Sequence, residues 1–209
     1  SCRIDTHECT ITIPFGEKLP VSDYQPIFAG NAANAAVAGA RLGLESAIWT
    51  ILGDDLVGRE AKKYLSDQHV DTTHVELMLG EASNVSVVLR VLGERTILVY
   101  HYPRTYQFPF TAVEPPTSQV NRAIDTSEVG DSGRQSSFEW LYLTSMARRW
   151  EVIIPDFVKH LDDRKASLVF QPGTYQLKSG HVAARELLHR TAIFICNKEE
   201  AADYLNHDR

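Results

Sequence analysis

The sequence is poor in the features that mark several large functional classes. Its 209 residues include three cysteines (Cys2, Cys9 and Cys196), two methionines and 12 glycines, no two of which adjoin. Three cysteines in a chain of this length do not form a disulfide framework, so the expected setting is the cytoplasm, a reducing compartment. Eight histidines are scattered with no His-Glu-x-x-His and no Cys-x-x-Cys, and no structural metal site is expected. No apolar run approaches the roughly 20 residues that cross a bilayer. Residues 1–5 carry no apolar stretch behind their basic residue, so neither a membrane partner nor a secretory leader is expected. With 21 basic against 27 acidic side chains, the chain lacks the basic surplus of a nucleic-acid binder. There is no Gly-x-x-x-x-Gly-Lys-Ser/Thr loop and no Gly-x-Gly-x-x-Gly, which removes the two commonest phosphate-cradling fingerprints. Gly130-Asp131-Ser132-Gly133 spells a serine-protease signature, but it has no supporting histidine motif or disulfides, and a triad is defined by geometry rather than by four letters. Residue 1 is serine, and the chain is expected to be a piece of a longer one.

What is present is an apolar fraction of 44% patterned for alternating strands and helices, which suits one globular α/β domain. Residues 34–42 form an alanine-rich run expected to be helical, followed by Gly43 where a left-handed C-terminal residue is expected. Residues 47–52 read as a buried strand ending at Gly53-Asp54-Asp55, and 58–69 as a helix. Residues 84–92 and 95–100 read as a hairpin turning at Gly93-Glu94. From 111 to 137 there are eight Ser or Thr, a Pro-Pro pair and no aromatic residue, the composition of a mobile insertion. Beyond it, strands at 140–144, 167–170 and 192–196 alternate with helices beginning near 155, 182 and 198. Strands separated by helices imply parallel pairing.

The most informative stretch is Gly30-Asn31-Ala32-Ala33-Asn34 and the alanines that follow. A glycine and two asparagines precede a small-residue helix, whose N-terminal N–H groups and carboxamides suit a polyhydroxylated ligand. The structural alternative is a helix capped by Asn34 and packed through its alanines.

A series of blocks in order resembles the ribokinase/PfkB carbohydrate kinases. They are the Gly30–Asn34 run with its helix ending in Leu42-Gly43, the Gly53-Asp54-Asp55-Leu56-Val57-Gly58 turn, and the Val70-Asp71 step. Gly80 to Val85 with the hairpin behind it, Gln171-Pro172-Gly173-Thr174, and Asn197-Lys198-Glu199-Glu200 complete the series. The resemblance implies a ribokinase-like parallel-sheet core with a small β-sheet lid, formed by segments about 10–26 and 84–102. It implies ATP-dependent phosphoryl transfer, with Mg²⁺, to the hydroxymethyl group of a sugar or nucleoside. Gly30, Asn31 and Asn34 would contact substrate hydroxyls. Gln171 would lie near the nucleotide phosphates, and Asn197 and Glu200 would help position Mg²⁺ and phosphates. The structural alternatives are a turn residue for Gln171 and a solvated helix carboxylate for Glu200. The family's Gly-rich signature with its catalytic base is expected beyond Arg209, and its opening strand is not found in these residues. Two competing readings are a non-catalytic sugar- or nucleoside-binding relative and a structural α/β module, the latter dimerising through the lid.

Overall fold

In the computed structural model of the chain, the described residues are 2–3, 8–9, 12–91, 93–108 and 138–206. The insertion expected at 111–137, with its Gly130–Gly133 decoy, lies outside them. Two short strands, β1 (Cys2–Arg3) and β2 (Glu8–Cys9), pair antiparallel and set Cys2 opposite Cys9. Residues 12–30 then run without helix or strand, exposed to solvent over 12–30.

The alanine run forms α1 (Asn31–Arg41), which begins three residues before the expected start. The reason is Gly30, whose φ of 148° is open to glycine and strained for other residues, so the chain turns into the helix there. Asn34 is therefore not the cap: its N–H already donates to the Gly30 carbonyl at 2.8 Å, inside the first turn. Gly43 occupies the left-handed position at the other end, with φ 87°. Strand β3 (Thr50–Gly53) pairs in parallel with β4 (Val75–Met78), with α2 (Leu56–Asp67) between them in sequence. Val37, Ile48, Leu65, Val70 and Val75 form the buried cluster of this half, filled in by the alanines of α1.

A hairpin follows, β5 (Val85–Val91) with β6 (Glu94–Tyr100), in full antiparallel register from Val85–Tyr100 to Val91–Glu94. Almost every residue of this ribbon is exposed, apolar ones included. The second half is a parallel three-stranded sheet in the order β7 (Trp140–Leu143), β8 (Ser167–Phe170), β9 (Thr191–Phe194). Its helices are α3 (Ile154–Arg164), entered through a 3-10 turn at Trp150–Ile153, α4 (Thr174–Ala183), α5 (Arg185–Arg190) and α6 (Lys198–Asn206). The helix expected to begin near 182 is thus two helices, starting eight residues earlier and kinked at Gly180, where φ is 73°. Trp150, Phe157, Leu161, Leu168, Phe170 and Leu187 dominate the core beneath this sheet.

The two halves meet through aromatic contacts. Trp49 sets its ring edge-on to Tyr106 and Phe108, at centroid distances of 6.3 and 5.7 Å. Phe108 in turn packs edge-on to Phe157 at 5.2 Å. Just ahead of β3, in extended chain where adjacent side chains point to opposite sides, Ile48 joins the core under α1 while Trp49 joins the core of the other half.

Candidate functional site

In an open parallel sheet the loops beyond the strand C-termini gather at one edge, where ligands of α/β proteins bind. Here those loops are 144–149 after β7, 171–173 after β8 and 195–197 after β9. They converge with the N-terminus of α1 through one contact: Asn31 Nδ2 donates to Ser145 Oγ at 3.2 Å. Ser145 also closes on the neighbouring loop, because a Cβ at Gly173 would lie 2.5 Å from its Oγ and 2.8 Å from its Cα. Asn31, Ser145 and the Gln171–Gly173 turn therefore form one continuous wall.

The residue that holds this wall is one the sequence reading did not single out. Gln176 is fully buried in the first turn of α4. Its Oε1 accepts from the Gly173 N–H at 2.7 Å and the Met146 N–H at 3.2 Å, and its Nε2 donates to the Thr144 carbonyl at 3.0 Å. One side chain thus ties the loop after β7 to the loop after β8. Two of its partners, Thr144 and Met146, lie about thirty residues upstream in sequence, so its tie between the loops has no local signature, and only its contact with Gly173, three residues before it, is local. Arg148 was also missed; its guanidinium sits 5.6 Å above the Tyr175 ring and puts a positive charge beside the same two loops.

The expected residues divide into those at the wall and those elsewhere. Gly30 and Asn31 stand at it. Asn34, one turn on, faces a separate hollow of about 270 Å³ that Phe28, Val37, Arg41 and Tyr64 also line. Gln171 donates its backbone N–H to the Leu143 carbonyl at 2.9 Å, while its side-chain oxygen accepts from the Tyr142 hydroxyl. Asn197 and Glu200 cap α6 reciprocally: Glu200 N–H donates to Asn197 Oδ1 at 2.7 Å, and Asn197 N–H donates to Glu200 Oε2 at 2.9 Å. The Asn-x-x-Glu pattern thus has a local structural role, and it leaves the second oxygen of Glu200 outside the cap.

The Gly53–Gly58 turn is likewise structural at close range. Asp55 caps α2 by accepting from the Gly58 N–H at 2.7 Å, and it accepts from the N–H and hydroxyl of Ser83, both at 2.8 Å. The Ser83 N–H, then Gly58 and the Ser83 hydroxyl, hold its carboxyl below its ordinary pKa. A Cβ at Gly58 would fall 2.0 Å from the Gly53 carbonyl oxygen, and one at Gly53 would fall 2.4 Å from the Glu81 carbonyl oxygen. The turn therefore clamps the root of the β5–β6 ribbon, which Tyr102 N–H to Asn84 Oδ1 at 2.8 Å and an Arg104–Glu81 ion pair at 2.6 Å also fasten.

Among the described residues no group of three or more His, Cys, Asp or Glu converges as a metal site, and no helix is long and apolar enough to cross a membrane.

Residues 1–120 match the family described as pfkB family carbohydrate kinase. Over 82 residues the chain is 33% identical to the ribokinase of Haemophilus influenzae, an alignment covering 37% of this chain and 27% of that protein. Its fold is similar to that of fructokinase from Vibrio cholerae O395, with TM-score 0.61 and 20% identity over 86% of this chain and 59% of that one. It is similar too to ribokinase from Cryptococcus neoformans var. grubii serotype A in complex with ADP, with TM-score 0.57 and 20% identity over 93% of this chain and 53% of that one. The chain thus spans about a quarter of the curated relative's length and just over half that of these solved chains.

Proposed function

The chain belongs to the pfkB family of carbohydrate kinases, and from that premise we propose that it is part of an ATP-dependent phosphotransferase acting on the hydroxymethyl group of a sugar or nucleoside. The observation that carries this reading is the Asn31–Ser145 contact, which brings the α1 N-terminus to the C-terminal edge of the β7–β9 sheet. A polyol bound against Gly30 and Asn31 would then lie beside the turn that holds Gln171. Asn34, the third proposed substrate contact, lines the separate Phe28–Tyr64 hollow and would meet the ligand only where the two are joined.

The residues fit a nucleotide in part. Gly173 heads α4, Arg148 lies beside the same loops, and Gln171 keeps its amide nitrogen for an acceptor, as suits a phosphate chain. Mg²⁺ is usually carried by the phosphates with only one or two carboxylates from the protein, and the uncapped oxygen of Glu200 is such a group, with Asn197 beside it. When bound, the metal would neutralise phosphate charge. The chain's own residues would orient the two substrates, the larger share of the work in phosphoryl transfer. No described residue is assigned as the catalytic base. The β5–β6 ribbon, with the 10–26 segment, is proposed as the lid over the sugar side, and its exposed apolar strands as the face of a homodimer. The cytoplasm is the proposed setting, in keeping with the free thiol of Cys196; no nucleic-acid partner is proposed.

A second reading, a sugar- or nucleoside-binding relative without transfer, draws support from Asn197 and Glu200 capping each other. Both readings are tested by assaying the full open reading frame for ADP release with ribose, fructose, fructose phosphates and nucleosides, alongside ligand-induced thermal shifts. Turnover of one of them supports the kinase; a thermal shift without turnover supports the binding protein; neither outcome with any of them rejects both.

A further inference from the structure

The hollow of about 270 Å³ beside α1 has one apolar wall, one aromatic end and one cationic end. The wall is made by Ala33 and by Val37, the buried residue of α1. At the aromatic end Phe28 and Tyr64 set their rings 5.7 Å apart, centroid to centroid, at 36° to each other. Phe28 belongs to a stretch with neither helix nor strand, and its side chain is still 37% exposed. A ring held at the surface in this way has a face or edge to offer, and aromatic rings take flat partners in offset or edge contact.

The cationic end is Arg41, in the last turn of α1. Its Nε and Nη2 both donate to one oxygen, Gln68 Oε1. A guanidinium carries five N–H groups and no acceptor, so this contact orients the fork, leaves three donors over, and matches the charge with a neutral carboxamide only. A basic residue in a last turn often serves the helix carbonyls instead. Here those are taken: the N–H groups of Leu42, Gly43 and Leu44 bond the carbonyls of Ala38, Gly39 and Ala40. At the end of α2 the N–H groups of Gln68, His69 and Val70 bond those of Tyr64, Leu65 and Ser66. An oriented fork of this kind suits a carboxylate, which it can hold through two parallel bonds. The hollow is also distinct from the wall at Gly30 and Asn31. α1 has 11 residues, which puts Arg41 about 15 Å along the axis from Asn31, beyond the reach of a sugar held there.

We propose that this hollow is a second ligand site, for a small aromatic carboxylate. Its carboxylate pairs with the free N–H groups of Arg41, and its ring lies along Val37 against Phe28 and Tyr64. The volume, just under the roughly 300 Å³ at which small-molecule pockets begin, admits one ring with a short acid arm and is too small for a nucleotide. A neutral ring would leave the guanidinium unmatched, and an acid without a ring would leave Phe28 and Tyr64 uncovered. Phe28 stands two residues before Gly30, so an occupied hollow holds the chain that leads into the candidate site. The proposal does not rest on the kinase reading.

The test titrates the whole chain with 3-phenylpropionate and, as a control of the same shape without the charge, 3-phenylpropionamide. Affinity is read by calorimetry and the place of binding by amide chemical shifts. The acid should bind about tenfold or more tightly than the amide, with shift changes centred on residues 28–41 and 64–68. Arg41→Gln should weaken the acid about tenfold and erase its preference over the amide, whereas Arg41→Lys, which keeps the charge and loses the fork, should fall between. Phe28→Ala should weaken acid and amide alike. Arg41 and Phe28 are both exposed, so an unchanged melting temperature should accompany each loss and separate it from unfolding. No binding of the acid, equal affinity for acid and amide, full affinity in Arg41→Gln, or shift changes centred elsewhere would each overturn the proposal.

Discussion

Among the described residues, the buried cluster of the N-terminal half has five members, none larger than leucine, and the closest approaches are made where glycine leaves room for backbone. In the C-terminal half the cluster has thirteen residues and is built around Trp150, Phe157, Phe170 and several leucines. The first half is specified mainly by side chains that are not there, the second by side chains that are. Adding a methyl group should therefore damage the first, and removing one the second.

The largest expected effect is in the second half. Leu168, fully buried in the central strand of its sheet, should cost about 2–5 kcal/mol on Leu168→Ala, read from denaturant midpoints. Next comes the opposite experiment, Gly58→Ala. The new Cβ meets the Gly53 carbonyl oxygen rather than a flexible side chain, so a loss of about 1–3 kcal/mol is expected where a mid-helix alanine would ordinarily stabilise. If Gly58→Ala is neutral or stabilising, the contrast between the halves fails.

Gln176→Leu keeps apolar volume but leaves the Gly173 and Met146 N–H groups and the Thr144 carbonyl unpaired. A loss of about 1–3 kcal/mol is expected, with exchange increasing at residues 144–146 and 173 before it does elsewhere.

Asp55→Ala should cost about 1 kcal/mol through its cap. Because folding lowers the Asp55 pKa, its stabilisation is present at neutral pH and is lost as the pH falls below about 4. Asp55→Asn should flatten that part of the stability–pH curve, and an unchanged curve would remove the carboxylate from the account.

The smallest effect on stability is expected from Asn31→Ala, within about 0.5 kcal/mol because the residue is exposed. Binding of the polyol proposed for this site should nonetheless weaken by about 0.5–1.5 kcal/mol in calorimetric titration.

How much of this was legible in the sequence differs between the halves for the same reason. The strand at 167–170 coincides with its expected bounds because apolar β-branched and aromatic residues announce themselves locally. The start of α1 was misplaced because it depends on one backbone angle at Gly30, which composition does not record. The kink inside α4 was hidden in the same way by Gly180. At the candidate site, Gly30 and Asn31 could be read from a local pattern. Gln176 and the Ser145–Gly173 contact could not, since each joins segments about thirty residues apart through a single buried group or a single absent Cβ.

The clamp at the foot of the β5–β6 ribbon carries one more implication. Its first leg is fastened at Ser83 to a turn that also heads α2, its second leg is tied to the first by Tyr102–Asn84 and Arg104–Glu81, and beyond those fastenings the ribbon is exposed to solvent. That is the construction of an oar in a rowlock. Whatever seats against the exposed ribbon is therefore linked to the rest of the molecule through Ser83 and the Asp55 cap of α2.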